Sequence, residues 1–293
     1  MKNKKSCSIF IENNIWDTFR GLDFERSPIR YPGGKTRGVP TILSVLPDDI
    51  SYIVSPFLGG GSVEVALDSY GFSVHCYDVF DRLVNFWNCL KKDPNHLANL
   101  ARKFLPGSRD IFYELKSRKY RKGFPCAAEF LFVNRSSFSG LTYSGGYSKS
   151  SNEQKFTPKY LDFISNYRTN IHINYDSFEQ SITQHPHDFL YLDPPYLLEE
   201  SNNKLYGQTG NTHSSFDHDK LKDLLRNHKW NWVMSYNNDP VVKDLYAGYQ
   251  MVECGWGYSM RIGKDALGKN KGEKRELLIF SPGYHEVKSR SID

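Results

Sequence analysis

No Cys-x-x-Cys pair occurs in this sequence, and its five cysteines (Cys7, Cys76, Cys89, Cys126, Cys254) are scattered and odd in number. That excludes a disulfide framework and a zinc ribbon, and it fits reduced thiols in a cytoplasmic protein. Metal ligation has little else to draw on: His185-Pro186-His187, with a proline between its histidines, reads as a solvated loop. No apolar run approaches the ~18 residues of a membrane span, and the N-terminus lacks the apolar centre of a signal peptide. Internal repeats and long low-complexity tracts are missing too. The dinucleotide-binding fingerprint is incomplete. Gly59 and Gly61 fit it, but Glu64 stands where the third glycine belongs, and a carboxylate beside a pyrophosphate is unfavourable. A nicotinamide cofactor is disfavoured on that ground.

Aromatic residues, by contrast, are plentiful: they make up 15% of the 293 residues, and 19 are Tyr. Such content suits stacking on flat ligands, although core rings account for much of it. The net charge of +5 is modest but unevenly placed. Between Arg102 and Arg168, 13 Lys or Arg face 5 Asp or Glu, while the remaining 25 and 28 leave the rest of the chain at −3. A basic segment on a neutral body is what a polyanion-binding module looks like.

The run Phe189-Leu190-Tyr191-Leu192 reads as a buried strand, stopped at once by Asp193-Pro194-Pro195-Tyr196. A carboxylate and an aromatic ring are thereby left at the carboxyl end of a strand, where open α/β sheets build ligand sites. The prolines carry no amide hydrogens, so the turn offers acceptors suited to an amino group on a planar ring. Upstream, Ser51-Tyr52-Ile53-Val54 predicts a strand, then the turn Phe57-Leu58-Gly59-Gly60-Gly61-Ser62, a helix to about Asp68, and a second strand from Phe72 to Tyr77 ending at Asp78. Strand, helix and strand at this spacing imply a parallel sheet. Asp78 follows Gly61 by 17 residues, near the spacing at which an acid binds ribose hydroxyls. A nucleoside ligand without phosphates fits both features, and S-adenosylmethionine is the obvious one; a helix-capping Asp is the plainer alternative.

Residues 83–167 read as mostly helical, basic and Gly/Ser-rich. After Ile171 the α/β rhythm resumes, with a polar loop at 199–215, a helix near 217–228, and a strand at Trp232-Val233-Met234-Ser235. Two final strands, Gln250 to Tyr258 and Glu276 to Phe280, flank a loop carrying Lys264, Lys269, Lys271 and Lys274. This predicts one α/β domain (27–82 and 168–293) interrupted by an inserted module (83–167) and preceded by an extension (1–26).

In order along the chain, these motifs resemble the Dam-type DNA adenine-N6 methyltransferases (D12 class, alpha group). Arg30-Tyr31-Pro32-Gly33-Gly34-Lys35 is similar to the family's N-terminal cofactor motif, Phe57 to Ser62 to its F-x-G-x-G-S, Asp78 to its ribose acid, and Asp193 to Tyr196 to its catalytic D-P-P-Y. Phe130 to Tyr143 resembles its DNA-reading hairpin region, and Arg275-Glu276-Leu277-Leu278 its last strand. The resemblance implies a class I methyltransferase fold, with a mostly parallel, Rossmann-like seven-stranded sheet containing one antiparallel strand. It implies transfer of a methyl group from S-adenosylmethionine to the N6 amine of a flipped-out adenine in double-stranded DNA.

Cofactor roles would fall to Tyr31, Gly33, Gly34, Lys35, Phe57, Gly59, Gly61, Ser62, Asp78, Asp176, Phe178 and Asp193. Catalysis would fall to Asp193, Pro194, Pro195 and Tyr196, with the aspartate and the Pro194 carbonyl accepting the amine hydrogens. The insert would be the target-recognition domain: Arg118, Lys119, Arg121 and Lys122 are candidate phosphate binders, and Asn134, Arg135, Ser136 and Phe138 candidates for base contact. Ser139 and Thr142 stand where GATC-specific members have Asn and Arg, so the recognised word is not carried over. N4-cytosine or RNA adenine methylation, or a catalytically dead DNA-binding module, remain the alternatives. A cognate restriction endonuclease, and a monomer or weak dimer, complete the expected setting, with no metal and no membrane.

Overall fold

A computed structural model of the chain describes residues 9–10, 24–196, 216–257 and 275–284. Eight strands form one sheet: β1 (Ile9–Phe10), β2 (Tyr52–Ser55), β3 (Ser73–Asp78), β4 (His172–Tyr175), β5 (Phe189–Leu192), β6 (Trp232–Asn237), β7 (Gln250–Gly257) and β8 (Arg275–Phe280). Their order is β1-β7-β8-β6-β5-β2-β3-β4. Only β8 runs antiparallel to its neighbours β6 and β7; the other pairings are parallel. The seven expected strands are therefore present with the expected single reversal. The eighth, β1, is a two-residue addition from the N-terminal extension, whose role the sequence does not disclose.

Each strand of the centre is buried on both faces, which is why β5 reads as an unbroken apolar run rather than an alternation. Side chains nevertheless alternate: Phe189 and Tyr191 enter one core with Ile53, Val233 and Leu278, while Leu190 and Leu192 enter the other with Val54, Met234 and Ile279. Strand β4 escapes a reading of the sequence because it is an edge: of His172–Tyr175 only Ile173 is buried, so no apolar pattern marks it. The chain leaves β2 toward β3 on one side and reaches β5 on the other. That reversal opens a crevice at the carboxyl ends of β2 and β5, where such sheets bind ligands.

Between β3 and β4 the elements are helical: Asp81–Lys92, Pro94–Arg102, Arg109–Ser117, Phe124–Ser136, Lys149–Lys155, Pro158–Ser165 and a short 3-10 turn at Phe138–Gly140, with one isolated antiparallel bridge between Ser137 and Tyr147. The boundary expected after residue 82 falls inside the helix Asp81–Lys92. That helix sends Leu83, Phe86, Trp87 and Leu90 into the same core as the sheet, and Phe130, Leu131 and Phe132 of Phe124–Ser136 join it. Arg82, buried without an acidic partner among the described residues, donates to the Tyr143 hydroxyl at 3.1 Å and the Arg118 carbonyl at 2.6 Å. Its guanidinium sits 4.6 Å from the Tyr143 ring centroid, an arrangement that offsets its burial.

Cys76, Cys89, Cys126 and Cys254 are buried free thiols. His185 is not the solvated residue expected: it is partly buried, bonded to the Tyr77 hydroxyl at 2.6 Å and to Asp188 at 2.8 Å. Among the described residues no group of His, Cys, Asp and Glu could hold a metal, and no helix is long and apolar enough to cross a membrane. The expected loops at 199–215 and around Lys264, Lys269, Lys271 and Lys274 lie outside the described residues.

Candidate active site

The first wall of the crevice is the glycine turn after β2. Gly59 and Gly61 adopt φ of +47° and +65°, which L side chains rarely tolerate. Space forbids side chains there as well. A Cβ on Gly60 would lie 2.7 Å from Cβ of Tyr31, and one on Gly61 2.6 Å from the Trp87 ring. The turn is closed by Gly61 N donating to Leu58 O at 2.8 Å and by the Trp87 indole donating to Gly59 O at 3.3 Å. At the end of β3, Asp78 accepts from the amides of Gly59 (2.9 Å) and Phe80 (2.8 Å). Burial raises its carboxyl above the usual range, and those amides pull it back down.

The second wall is the turn after β5. Lys35, 3% exposed, donates to Asp193 Oδ1 at 2.8 Å and to Gly33 O at 3.0 Å, and also contacts the Tyr196 hydroxyl. Ser235 of β6 donates to the same Oδ1 at 3.1 Å. Tyr196 in turn donates to Glu276, 2.9 Å from each carboxylate oxygen. Tyr236 ties the turn from below, donating to Pro195 O at 3.3 Å. Burial raises Asp193, against the opposing pull of Lys35 and Ser235, and burial likewise raises Glu276. Asp193 still keeps 23% of its side-chain surface exposed, so its open side faces the crevice.

Between the walls lies a cavity of about 340 Å³, within the range of small-molecule sites. Phe57 and Phe178 stack across one end with centroids 5.6 Å apart, and Phe216 packs 4.9 Å from Phe178. The lining gathers most of the residues singled out in the sequence: Tyr31, Gly33, Gly34, Lys35, Phe57, Gly59, Gly61, Ser62, Asp78, Phe178 and Asp193 to Tyr196. Asp176 is not among them. Its carboxylate turns to its own helix, accepting from Ser177 N at 2.8 Å and Gln184 at 3.3 Å.

The insert distributes its candidates differently. Asn134 and Ser136 are fully buried, so neither presents itself to a base in this structure. Asn134 accepts from Arg30 N at 3.1 Å and donates to Arg30 O at 2.6 Å, while Ser136 donates to Asn152 at 2.8 Å. Arg118 is bound to Glu129 at 2.7 Å and Glu114 at 2.5 Å. Lys119, Arg121 and Lys122 are exposed on the loop between two helices, not on a helix face. Arg135 lies 4.1 Å over the Tyr160 ring and donates to Lys155 O at 3.1 Å. Phe138 is 62% exposed, at the start of the 3-10 turn.

Sequence reasoning missed Ser235, Tyr236, Glu276 and Phe216 as parts of the site, and met Glu64 only as a missing glycine. Nothing in a single sequence signals that a strand-interior Ser or Glu points at a turn 40 or 80 residues away. Glu64 alone gave a sign, as a carboxylate where a glycine was expected.

The sequence pattern of the D12 class N6 adenine-specific DNA methyltransferases matches residues 31–260. The Type II methyltransferase M1.LlaDCHI of Lactococcus lactis subsp. cremoris is 25% identical over 87% of this chain and 94% of its own length. A DNA adenine methylase of Vibrio cholerae serotype O1 is 24% identical over 88% and 97%, respectively. The Type II methyltransferase M.CviBI of Paramecium bursaria Chlorella virus NC1A is 22% identical over 82% and 94%.

Proposed function

Because this chain belongs to the D12 class of N6 adenine-specific DNA methyltransferases, we propose that its Asp193–Tyr196 turn grips the N6 amine of an adenine swung out of duplex DNA. S-adenosylmethionine, the methyl donor of the class, supplies an electrophilic methyl group carried on a sulfonium sulfur. The lining fits that donor. Side-chain-free backbone at Gly59 to Gly61 admits close approach, the stacked Phe57 and Phe178 offer a flat apolar surface, and the Asp78 carboxylate stands where ribose hydroxyls can donate to it.

One observation carries the catalytic assignment. Among the described residues both donors to Asp193, Lys35 and Ser235, land on Oδ1, and none lands on Oδ2. The carboxyl group is oriented through one oxygen and is left the other with which to accept from a substrate amine. The Pro194 carbonyl is the second acceptor, since Tyr236 already occupies the carbonyl of Pro195. Two accepted hydrogens draw the amine nitrogen toward tetrahedral geometry and turn its lone pair toward the methyl group. Orientation of this kind is worth about 7–11 kcal/mol in well-aligned cases. Tyr196 stacks on the extruded base for roughly 1–3 kcal/mol, offsetting part of the few kcal/mol that extrusion costs.

The insert is the DNA-reading module in this proposal. Lys119, Arg121 and Lys122 take phosphates, and the exposed Phe138 ring enters the duplex where the adenine leaves. The Type II designation of two relatives supports a cognate restriction endonuclease as partner, and in this reading the chain acts as a monomer or weak dimer. Incubation of the pure enzyme with duplex DNA and S-adenosylmethionine, followed by single-base mapping of modified adenine, tests the whole reading. N6-methyladenine within one short recurring word is expected. N4-methylcytosine, or methylation of RNA in preference to duplex DNA, would overturn it.

A further inference from the structure

Five acidic residues line the cavity (Glu64, Asp78, Glu179, Asp193, Asp217) against a single basic one, Lys35, among the described residues. Most of these acids are already accounted for. Asp78 accepts two backbone amides, Asp217 caps a helix by accepting from Lys220 N at 2.8 Å, and Asp193 is paired with Lys35. Glu64 differs. Among the five it is the buried one, 2% exposed, and its hydrogen-bond partners are all neutral: the Ser55 hydroxyl at 2.7 Å and the backbone amides of Val63 and of Glu64 itself. The groups that face it from neighbouring elements are Cys76 of β3, Tyr191 of β5 and Asp193 of the turn after it, none of them a cation.

A buried carboxyl in that setting has two states. Without a cation it keeps its proton, and burial pushes Glu64 up to about 8 with Asp193 adding to the rise. With a cationic donor beside it, it ionises. Charge alone does not meet the need of so buried a carboxylate, which also requires hydrogen-bond donors. An ammonium group supplies both, whereas a sulfonium supplies charge only.

We propose that Glu64 is the acidic partner of the ammonium group on the methionine portion of the cofactor, and that it gives up its proton when the cofactor binds. The proposal rests on S-adenosylmethionine as the ligand of this cavity. The balance is simple: the carboxyl O–H bond breaks, the proton passes to bulk water, and the resulting carboxylate accepts from the ligand's ammonium. No covalent bond to the ligand forms.

Titration calorimetry with S-adenosylhomocysteine and with 5′-methylthioadenosine, at pH 7 in two buffers of different ionisation enthalpy, tests it. The two ligands share the adenosine and thioether, and only the first carries the amino-acid end. Wild-type protein is expected to release up to about one proton on binding S-adenosylhomocysteine, and none on binding methylthioadenosine. Glu64→Gln, which keeps the bond to Ser55, is expected to abolish that release and to weaken S-adenosylhomocysteine roughly ten- to hundredfold, the worth of a hydrogen bond to a charged group. Its affinity for methylthioadenosine is expected to stay at the wild-type value. Glu64→Asp, with the charge retained on a shorter arm, is expected to bind more weakly yet still release the proton. Equal loss of both ligands in Glu64→Gln, or proton release that survives the substitution, overturns the role of Glu64. A wild-type protein that binds neither ligand instead removes the cofactor assignment beneath it.

Discussion

The Tyr196 hydroxyl lies 2.9 Å from both carboxylate oxygens of Glu276, joining the turn after β5 to the antiparallel strand β8. Sequence alone suggests that only the ring of Tyr196 matters and that Tyr196→Phe is mild. The proposed mechanism makes the ring the stacking surface, so Tyr196→Ala is expected to lose more activity than Tyr196→Phe. The hydroxyl, however, donates to a buried acid, and removing it costs stability of about 1–3 kcal/mol. Tyr196→Phe and Glu276→Gln are expected to couple by about 0.5–3 kcal/mol in a double-mutant cycle measured by urea unfolding. Strict additivity would show that the contact carries nothing.

Asp193→Ala is expected to abolish methyl transfer while changing DNA affinity only slightly, as read by turnover and by fluorescence anisotropy on the same preparation. Near-normal turnover would sink the catalytic assignment. Because Lys35 is buried and would lose its acid, the variant is also expected to unfold at lower urea than wild type.

Glu64 also sets a pH dependence for the ligand-free protein. Its folded carboxyl is raised from 4.5 to about 8, so between those values the folded state holds a proton that the unfolded state has lost. Stability therefore falls as pH rises through that window, by up to about 1.4 kcal/mol per pH unit for one proton. Asp193 and Glu276, both raised by burial, act in the same sense. Urea unfolding from pH 5 to 8 is expected to show the fall, and Glu64→Gln to flatten it. A slope unchanged by that substitution would mean that Glu64 is ionised in the folded protein.

Neutralising Lys119, Arg121 and Lys122 together is expected to flatten the dependence of DNA binding on salt, by about 0.9 in log–log slope for each phosphate no longer neutralised. Arg118 is expected to behave differently from these three. Already engaged by Glu114 and Glu129, it is expected to leave the slope unchanged when replaced by Gln. A slope lowered by Arg118→Gln as much as by a neighbour would return it to the interface.

Gly61→Ala combines a positive φ with a Cβ 2.6 Å from the Trp87 ring, and Gly71→Ala has a positive φ with nothing within 4 Å. The first is expected to cost about 1–3 kcal/mol beyond the second, since overlap adds to backbone strain. Thermal unfolding of the two variants measures the difference.

The sheet and the crevice were legible because their signals are local. An unbroken apolar run, a glycine turn and a proline stop each fit within a few residues, and Asp78 and Asp193 mark strand ends that the structure places within a residue of expectation. What failed was legibility across the chain. Asn134 sits in a motif that suggests base contact, but its amide is engaged by the backbone of Arg30, a partner 104 residues away. Asp176 matches a motif position and turns away from the cavity, accepting from Ser177 N and Gln184 of the next helix. Ser235 and Glu276 hold ordinary strand positions whose inward direction only the paired sheet reveals.

The bonds from Asn134 to Arg30 and from Trp87 to Gly59 fasten the inserted helices to the segment leading into Tyr31 and to the glycine turn. The insert, proposed above as the DNA-reading module, is thus not a detachable unit. Exchanging it for that of a relative, to redirect the enzyme to another word, would have to transplant the stretch around Arg30 and the face of Trp87 along with it, or the graft would loosen the glycine turn proposed to seat the methyl donor.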